Sequence, residues 1–191
     1  MTDLEARTEP ASAPGRRDFL RLGIGAAVAA SVLSPVDAMA MIKAPARQLA
    51  MQNLHTGESL KVDYWVKGRY SREGLRAINR LLRDHRNNEI HAIDPRVLDI
   101  LFQINRMMGS RGPVHIVSGY RSPETNAMLR ETSDGVAQNS FHMQGRAIDL
   151  RLPGRPLKQL RRAALSLRAG GVGYYPESEF VHVDTGPVRQ W

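Results

Sequence analysis

An α+β domain with a largely antiparallel sheet is the fold class that the sequence predicts for residues 41–191. Two strongly patterned helices come early in that stretch, and most of the short β-branched runs follow them. No regular strand–helix–strand alternation of the kind that builds a parallel sheet links them.

Residues 1–40 read as a leader and are set apart from the fold. Arg16-Arg17, followed by Phe19 and Leu20, has the pattern of a twin-arginine export signal. The apolar stretch from Leu22 to Leu33 is shorter than the roughly 20 residues that a membrane span needs. Ala38-Met39-Ala40 supplies a small-x-small cleavage site, which predicts a mature start at or near Met41 and no stable membrane anchor after cleavage.

In the mature part, residues 41–49 read as an irregular lead-in. Leu60, Val62, Tyr64 and Val66 alternate with Lys61 and Asp63, the period of a strand, and the turn-like His55–Glu58 predicts a hairpin with Leu49–Leu54. A first helix is expected from Arg72 to Arg86, capped by Ser71, with Leu75, Ile78, Leu81 and Leu82 on one face. Asp94 and Pro95 open a second helix, whose apolar positions run from Val97 to Met108 and which Gly109 can end. Residues 113–119 form a short buried strand, Ser122-Pro123-Glu124 starts a third helix, and 132–141 is a loop. Ala147–Leu152 reads as a strand, Pro156–Arg168 as a helix, and Gly170–Tyr175 and Phe180–Asp184 as strands.

Composition narrows the chemistry. The 191 residues contain 42% apolar side chains, enough for one hydrophobic core, and no cysteine. Thiol nucleophiles, cysteine-ligated zinc and iron–sulfur clusters are therefore excluded. The net charge is +8; residues 1–40 hold four Arg against five acidic residues, so the remainder carries +9. Such a surface suits a polyanionic partner. No basic run interleaved with aromatics and no reader motif points to nucleic acid, whereas the anionic bacterial cell wall suits an exported protein.

The segment Ser140-Phe-His-Met-Gln-Gly-Arg-Ala-Ile-Asp149 carries the most chemistry. Asp149 lies between Ile148 and Leu150 in an apolar strand, and a buried carboxylate needs a partner. A cation is one solution, with His142 as co-ligand; pairing with an arginine is the other. His182, in Phe180-Val-His-Val-Asp184, is a third candidate ligand. Two imidazoles and a carboxylate would leave one tetrahedral position open, the pattern of catalytic zinc.

Three blocks, Ser118-Gly-Tyr-Arg-Ser122, Ser140–Asp149, and Gly170–Pro176 with Phe180–Gly186, resemble in order and spacing the signatures of the zinc D-Ala-D-Ala peptidase superfamily with the hedgehog-type fold. The subgroup most resembled is the periplasmic murein endopeptidases of the K type. The resemblance implies Zn2+ held by His142, Asp149 and His182, with Arg121 on the substrate carbonyl or carboxylate and stabilising the developing oxyanion. Asp184 is the favoured general base because it shares a strand face with His182; Glu179, in a Glu-x-x-His spacing, is the other candidate. Ser140 is expected to order the ligand loop or touch substrate, with Tyr120 and Tyr174 lining the cleft. His55, His85, His91 and His115 belong to no block and read as structural or surface residues. The implied activity is hydrolysis of peptide cross-links in peptidoglycan. A D-Ala-D-Ala carboxypeptidase or dipeptidase on stem peptides, or a non-catalytic wall-binding module, remain as alternatives.

Overall fold

The computed structural model describes residues 45–132 and 136–191; the leader lies outside them. Strand β1 (Arg47–Asn53) pairs antiparallel with β2 (Ser59–Val66), Leu49 opposite Val62 and Met51 opposite Leu60. This is the hairpin that the alternation predicts, although the strand begins inside the stretch read as irregular. The two-residue loop Lys67-Gly68, with φ of 51° and 76°, returns the chain as β3 (Arg69–Tyr70). Both positive values match the right-handed strand twist that a tight hairpin needs.

Helix α1 (Arg72–Leu81) is capped by Ser71, whose Oγ accepts from the Gly74 amide at 3.1 Å. Gly74 lets this helix press on β2, since a Cβ there would lie 2.5 Å from the Asp63 carbonyl. The helix stops before the expected Arg86. The Leu82 carbonyl accepts from Tyr120 N–H at 2.8 Å, and the Asp84 carboxylate takes the amides of Arg86 and Ser122. Tertiary partners thus replace the i→i−4 bonds that a longer helix would have made.

Helix α2 (Pro95–Met108) runs as the sequence predicts, from the Asp94 cap to Gly109 in the left-handed conformation, and buries Val97, Leu98, Leu101 and Ile104. Then follow β4 (Val114–Ser118), α3 (Pro123–Thr132), a 3-10 turn (Phe141–Gln144), β5 (Ala147–Arg151), α4 (Leu157–Leu167), β6 (Gly171–Tyr175), β7 (Phe180–Asp184) and β8 (Arg189–Gln190). Among the described residues three strands therefore precede the first helix, where the sequence predicts two.

Among the described residues, eight strands form one sheet in the order β3-β2-β1-β4-β5-β7-β6-β8. Only β1/β4 and β6/β8 are parallel, so the sheet is largely antiparallel, and the α+β class holds. Ile148 and Leu150 of β5, with Val181 and Val183 of β7, belong to the hydrophobic core that also takes in the apolar stripes of α2 and α4. Period two sends Asp149 and His182 to the opposite face, where the register sets them side by side. No helix among the described residues is long and apolar enough to cross a membrane.

Candidate metal centre

Three elements bring the candidate ligands together. Asp149 and His182 are cross-strand partners on β5 and β7. His142 arrives on the 3-10 turn, where Ser140 Oγ accepts its amide at 3.3 Å and Gly145, at φ 63°, closes the turn. Gly145 has a second reason to lack a side chain, because a Cβ would run into the Ala92 carbonyl. A bulge between Ile116 and Ser118 sets Ser118 opposite Asp149 and leads the chain into Gly119 and Arg121.

His142 Nε2, Asp149 Oδ1 and His182 Nδ1 form a triangle with edges of 3.3, 2.8 and 3.2 Å. All three residues are buried. The outer nitrogens are engaged: His142 Nδ1 donates to the Gly119 carbonyl at 2.7 Å and His182 Nε2 donates to Asp184 Oδ2 at 3.1 Å. With protons fixed there, both inner nitrogens present lone pairs to a carboxylate. Three acceptors facing one another without a donor repel unless a cation lies between them. A tetrahedral ion bonded at about 2.0–2.1 Å needs donor–donor edges of about 3.3 Å, so the side chains fit a metal ion of that size.

The local field points the same way. Burial works against charge on His182, yet its hydrogen bonds to Asp149 and Asp184 lift its pKa to about 9, so that without a metal ion a proton takes the inner Nδ1 and is donated to Asp149. Burial also opposes ionisation of Asp149, but His142 and His182 hold it well below the usual carboxylate range. The spot favours a positive charge, whether proton or metal ion.

Arg121 lines the same cleft of about 570 Å³ as the three ligands. Its Nη1 donates to Asn126 at 3.3 Å, while its buried Nε has no partner among the described residues. Burial, with help from Arg86, lowers the guanidinium pKa, and Asp149 opposes that shift. A largely buried arginine with spare donors is suited to an incoming carbonyl or carboxylate oxygen.

The two carboxylates read as base candidates have different surroundings. Asp184 is fully buried and saturated: besides His182, it accepts from Gly171 N–H at 3.0 Å, Gly186 N–H at 2.8 Å and both terminal nitrogens of Arg189 at 3.1 and 2.7 Å. Burial would raise its pKa, but these partners hold it well below the ordinary range. It faces the nitrogen of His182 that points away from the ligand triangle. Glu179 is exposed on the β6–β7 turn and pairs with Arg151 at 3.1 Å; its neighbours Ser178 and Phe180 line the cleft.

Ser140 lines the cleft as well as capping the His142 turn. Tyr120 turns away, its hydroxyl donating to Glu89 at 2.7 Å and its ring stacking on His91. Tyr174 pairs with Val181, on the face away from His182, under the Arg161 guanidinium. Its neighbour Tyr175 pairs with Phe180 and lines the cleft instead. Hairpin register was the signal for this choice: a turn over Pro176–Glu179 sets Gly173 opposite His182 and Tyr175 on the same face. Trp191 gave no such signal. It donates from Nε1 to Tyr175 Oη at 2.7 Å, with its ring centre 5.3 Å from that of His182. Gly173 makes room for it, since a Cβ would come within 2.8 Å of the indole. His55 and His85, read as structural, also line the cleft.

A protein-family model described as peptidoglycan L,D-endopeptidase MepK matches residues 41–191. The peptidoglycan L,D-endopeptidase MepK of Escherichia coli K12 is 48% identical over 177 residues, 92% of this chain and 96% of that protein. The protein of the same name from Shigella flexneri gives the same figures. The probable peptidoglycan L,D-endopeptidase MepK of Haemophilus influenzae Rd is 44% identical over 178 residues, 92% of this chain and 95% of that one.

Proposed function

Since the chain belongs to the peptidoglycan L,D-endopeptidase MepK family, we propose that it is a zinc-dependent murein endopeptidase that hydrolyses L,D peptide cross-links of peptidoglycan. The observation that carries the zinc reading is the acceptor-only triangle of His142, Asp149 and His182, whose outer nitrogens are already committed. In the same reading, the described domain has the hedgehog-type fold of the zinc D-Ala-D-Ala peptidases. Residues 1–40 direct twin-arginine export to the periplasm, where the basic mature chain meets the anionic wall.

Zinc in this site would polarise the scissile carbonyl and bring the pKa of water towards about 7. The chain's own residues do the rest. His142, Asp149 and His182 hold the ion, and Ser140 fixes the turn that carries His142. Arg121 directs its spare donors at the substrate oxygen on which negative charge develops. Asp184 fixes the His182 ring in the tautomer that presents Nδ1 to the metal, a positioning role, because none of its oxygens is left to face a substrate. The proton acceptor is then Glu179, whose single side-chain partner among the described residues is the half-exposed Arg151. Tyr175 takes the cleft-lining role expected of Tyr174, and Tyr120 supports the wall behind Arg121.

Digestion of purified sacculi tests the proposal. Cross-linked dimers should convert to monomers with zinc present, stop converting with a chelator, and resume when zinc is restored, with product masses locating the cut at an L,D bond. Undiminished digestion under a strong chelator would overturn the metal mechanism. Cleavage of free stem peptides alone would favour the carboxypeptidase or dipeptidase alternative.

A further inference from the structure

The cleft crosses the strands, and its two ends differ. Over β6 and β8 it is aromatic, with Tyr175, Phe180 and Trp191. At the other end, beyond β4, it is lined by His55, from the β1–β2 turn, and by His85 and Arg86, from the segment after α1. The His55 and His85 rings stack with centres 3.9 Å apart and planes 7° from parallel. Among the described residues, the sole carboxylate lining the cleft is Asp149, a metal-ligand candidate, while Arg86 and Arg121 both line it. Arg86 is near enough to Arg121 to depress its pKa. Asp149 and Asp84 act on Arg121 in the opposite sense, but among the described residues no carboxylate other than Asp149 lines the cleft, so the two guanidiniums at this end leave a place for an anion.

This end is built rather than incidental. The segment bearing His85 and Arg86 is bolted to the turn bearing Arg121. Tyr120 N–H donates to the Leu82 carbonyl at 2.8 Å, Ser122 N–H to Asp84 Oδ2 at 2.9 Å, and Asn87 Nδ2 to Ser122 Oγ at 3.0 Å. Gly119 allows the approach, since a Cβ would come within 2.6 Å of the Leu82 carbonyl. Asp84 is nearly inaccessible and has its oxygens on the amides of Arg86 and Ser122, so it fastens the segment; its charge partly offsets that of Arg86 at Arg121 and His85, but it does not line the cleft. The Arg121 guanidinium lines the same cleft as the stack.

We propose that His55, His85 and Arg86, beside Arg121, form a carboxylate-binding subsite that reads a free carboxylate of the peptide substrate and thereby sets which stem peptides enter the cleft. The stacked imidazoles offer N–H donors at fixed positions, and Arg86 contributes the charge. The assignment rests on the peptide-hydrolase reading of the centre, but its test does not need turnover.

Binding of a synthetic stem tetrapeptide to the zinc-loaded protein is measured by calorimetry, with the C-terminal carboxylate either free or amidated. A hydrogen-bonded charge contact is worth about 1.5–3 kcal/mol, so amidation should weaken binding about tenfold or more. In the double variant His85→Gln, Arg86→Ala that penalty should shrink to about twofold or less. If the double variant fails to fold or to keep its zinc, Arg86→Ala alone, an exposed position, should still cut the penalty several-fold. No amidation penalty in the unaltered protein, no binding of either peptide, or an undiminished penalty in the variants would each overturn the subsite. A carboxylate-dependent affinity in a protein that leaves sacculi intact would instead overturn the endopeptidase reading and leave the subsite standing.

Discussion

Asp99 and Asp149 are both carboxylates on which several side chains converge, and what converges on them differs in kind. Around Asp99, on α2, the neighbours are donors: Arg47 at 2.6 Å, Tyr64 Oη at 2.9 Å and Tyr70 Oη at 2.6 Å. The cluster closes its own hydrogen-bond account and ties α2 to the first three strands. Around Asp149 the neighbours are imidazole nitrogens whose protons lie on the far side of each ring. A saturated carboxylate is a structural tie, whereas one ringed by imidazole nitrogens suits a cation. Counting donors and acceptors separates the two where burial or spacing alone would not.

Substituting each aspartate gives the sharpest test. Asp149→Ala should abolish stoichiometric zinc, by metal analysis, and reduce muropeptide release at least about a thousandfold, since the ion and its field are lost together. Asp99→Asn should leave zinc content and turnover within about twofold and cost about 1–3 kcal/mol in denaturant unfolding, because Tyr64, Tyr70 and Arg47 lose part of their acceptor. Zinc loss in the Asp99 variant, or retained zinc in the Asp149 variant, would break the distinction.

The same accounting separates Asp184 from Glu179. Asp184→Asn should weaken zinc affinity about 10- to 100-fold, the usual cost of losing the partner of a ligating histidine, and excess zinc should restore much of the turnover. Glu179→Gln should keep zinc and lower kcat about 10²- to 10⁴-fold, as expected for a proton acceptor. Full activity in Glu179→Gln would remove it from the chemistry. A zinc-replete but inactive Asp184→Asn would return the base to Asp184, the residue that strand alternation favours.

The surroundings of Asp184 show what the sequence could carry. Period two correctly put Asp184 on the His182 face. It could not show that Gly171, Gly186 and Arg189 would surround it, because those contacts come from β6 and from the segment following β7. Local grammar was legible: the Asp94-Pro95 start of α2, the Ser71 cap of α1, and the hairpin of β1 with β2. The triplet of candidate ligands was legible through the resemblance of the three blocks, and the fold brings its donor atoms together. What was hidden depended on long-range pairing. The parallel β1/β4 contact, the bulge that precedes Arg121 and the docking of Asp84 on Ser122 each join segments far apart in the chain. His55 and His85 were read as unremarkable for the same reason, since they meet only once β1 and the segment after α1 are in place.

The stacked histidines carry the comparison to its converse and to its smallest expected effect. Where Asp149 is ringed by acceptors, His85 has cationic and imidazole neighbours. Burial, then His55 and Arg86, push its pKa down to about 4, with Asp84 opposing. An unfolded histidine titrates near 6.5, so between about pH 4 and 6.5 the unfolded chain takes up a proton that the folded chain refuses. Folding stability should therefore rise with pH across that window, be fully present above about 6.5, and fall away as pH drops towards 4. His85 is partly exposed, so solvent screening reduces the effect to about 1 kcal/mol. Urea unfolding at a series of pH values should show this slope in the parent, and His85→Gln should flatten it by that amount. A bound carboxylate should flatten it too, because it stabilises the protonated ring in the folded state. An unchanged slope in His85→Gln would mean that other groups govern the window and that the imidazole stack is not held neutral by its surroundings.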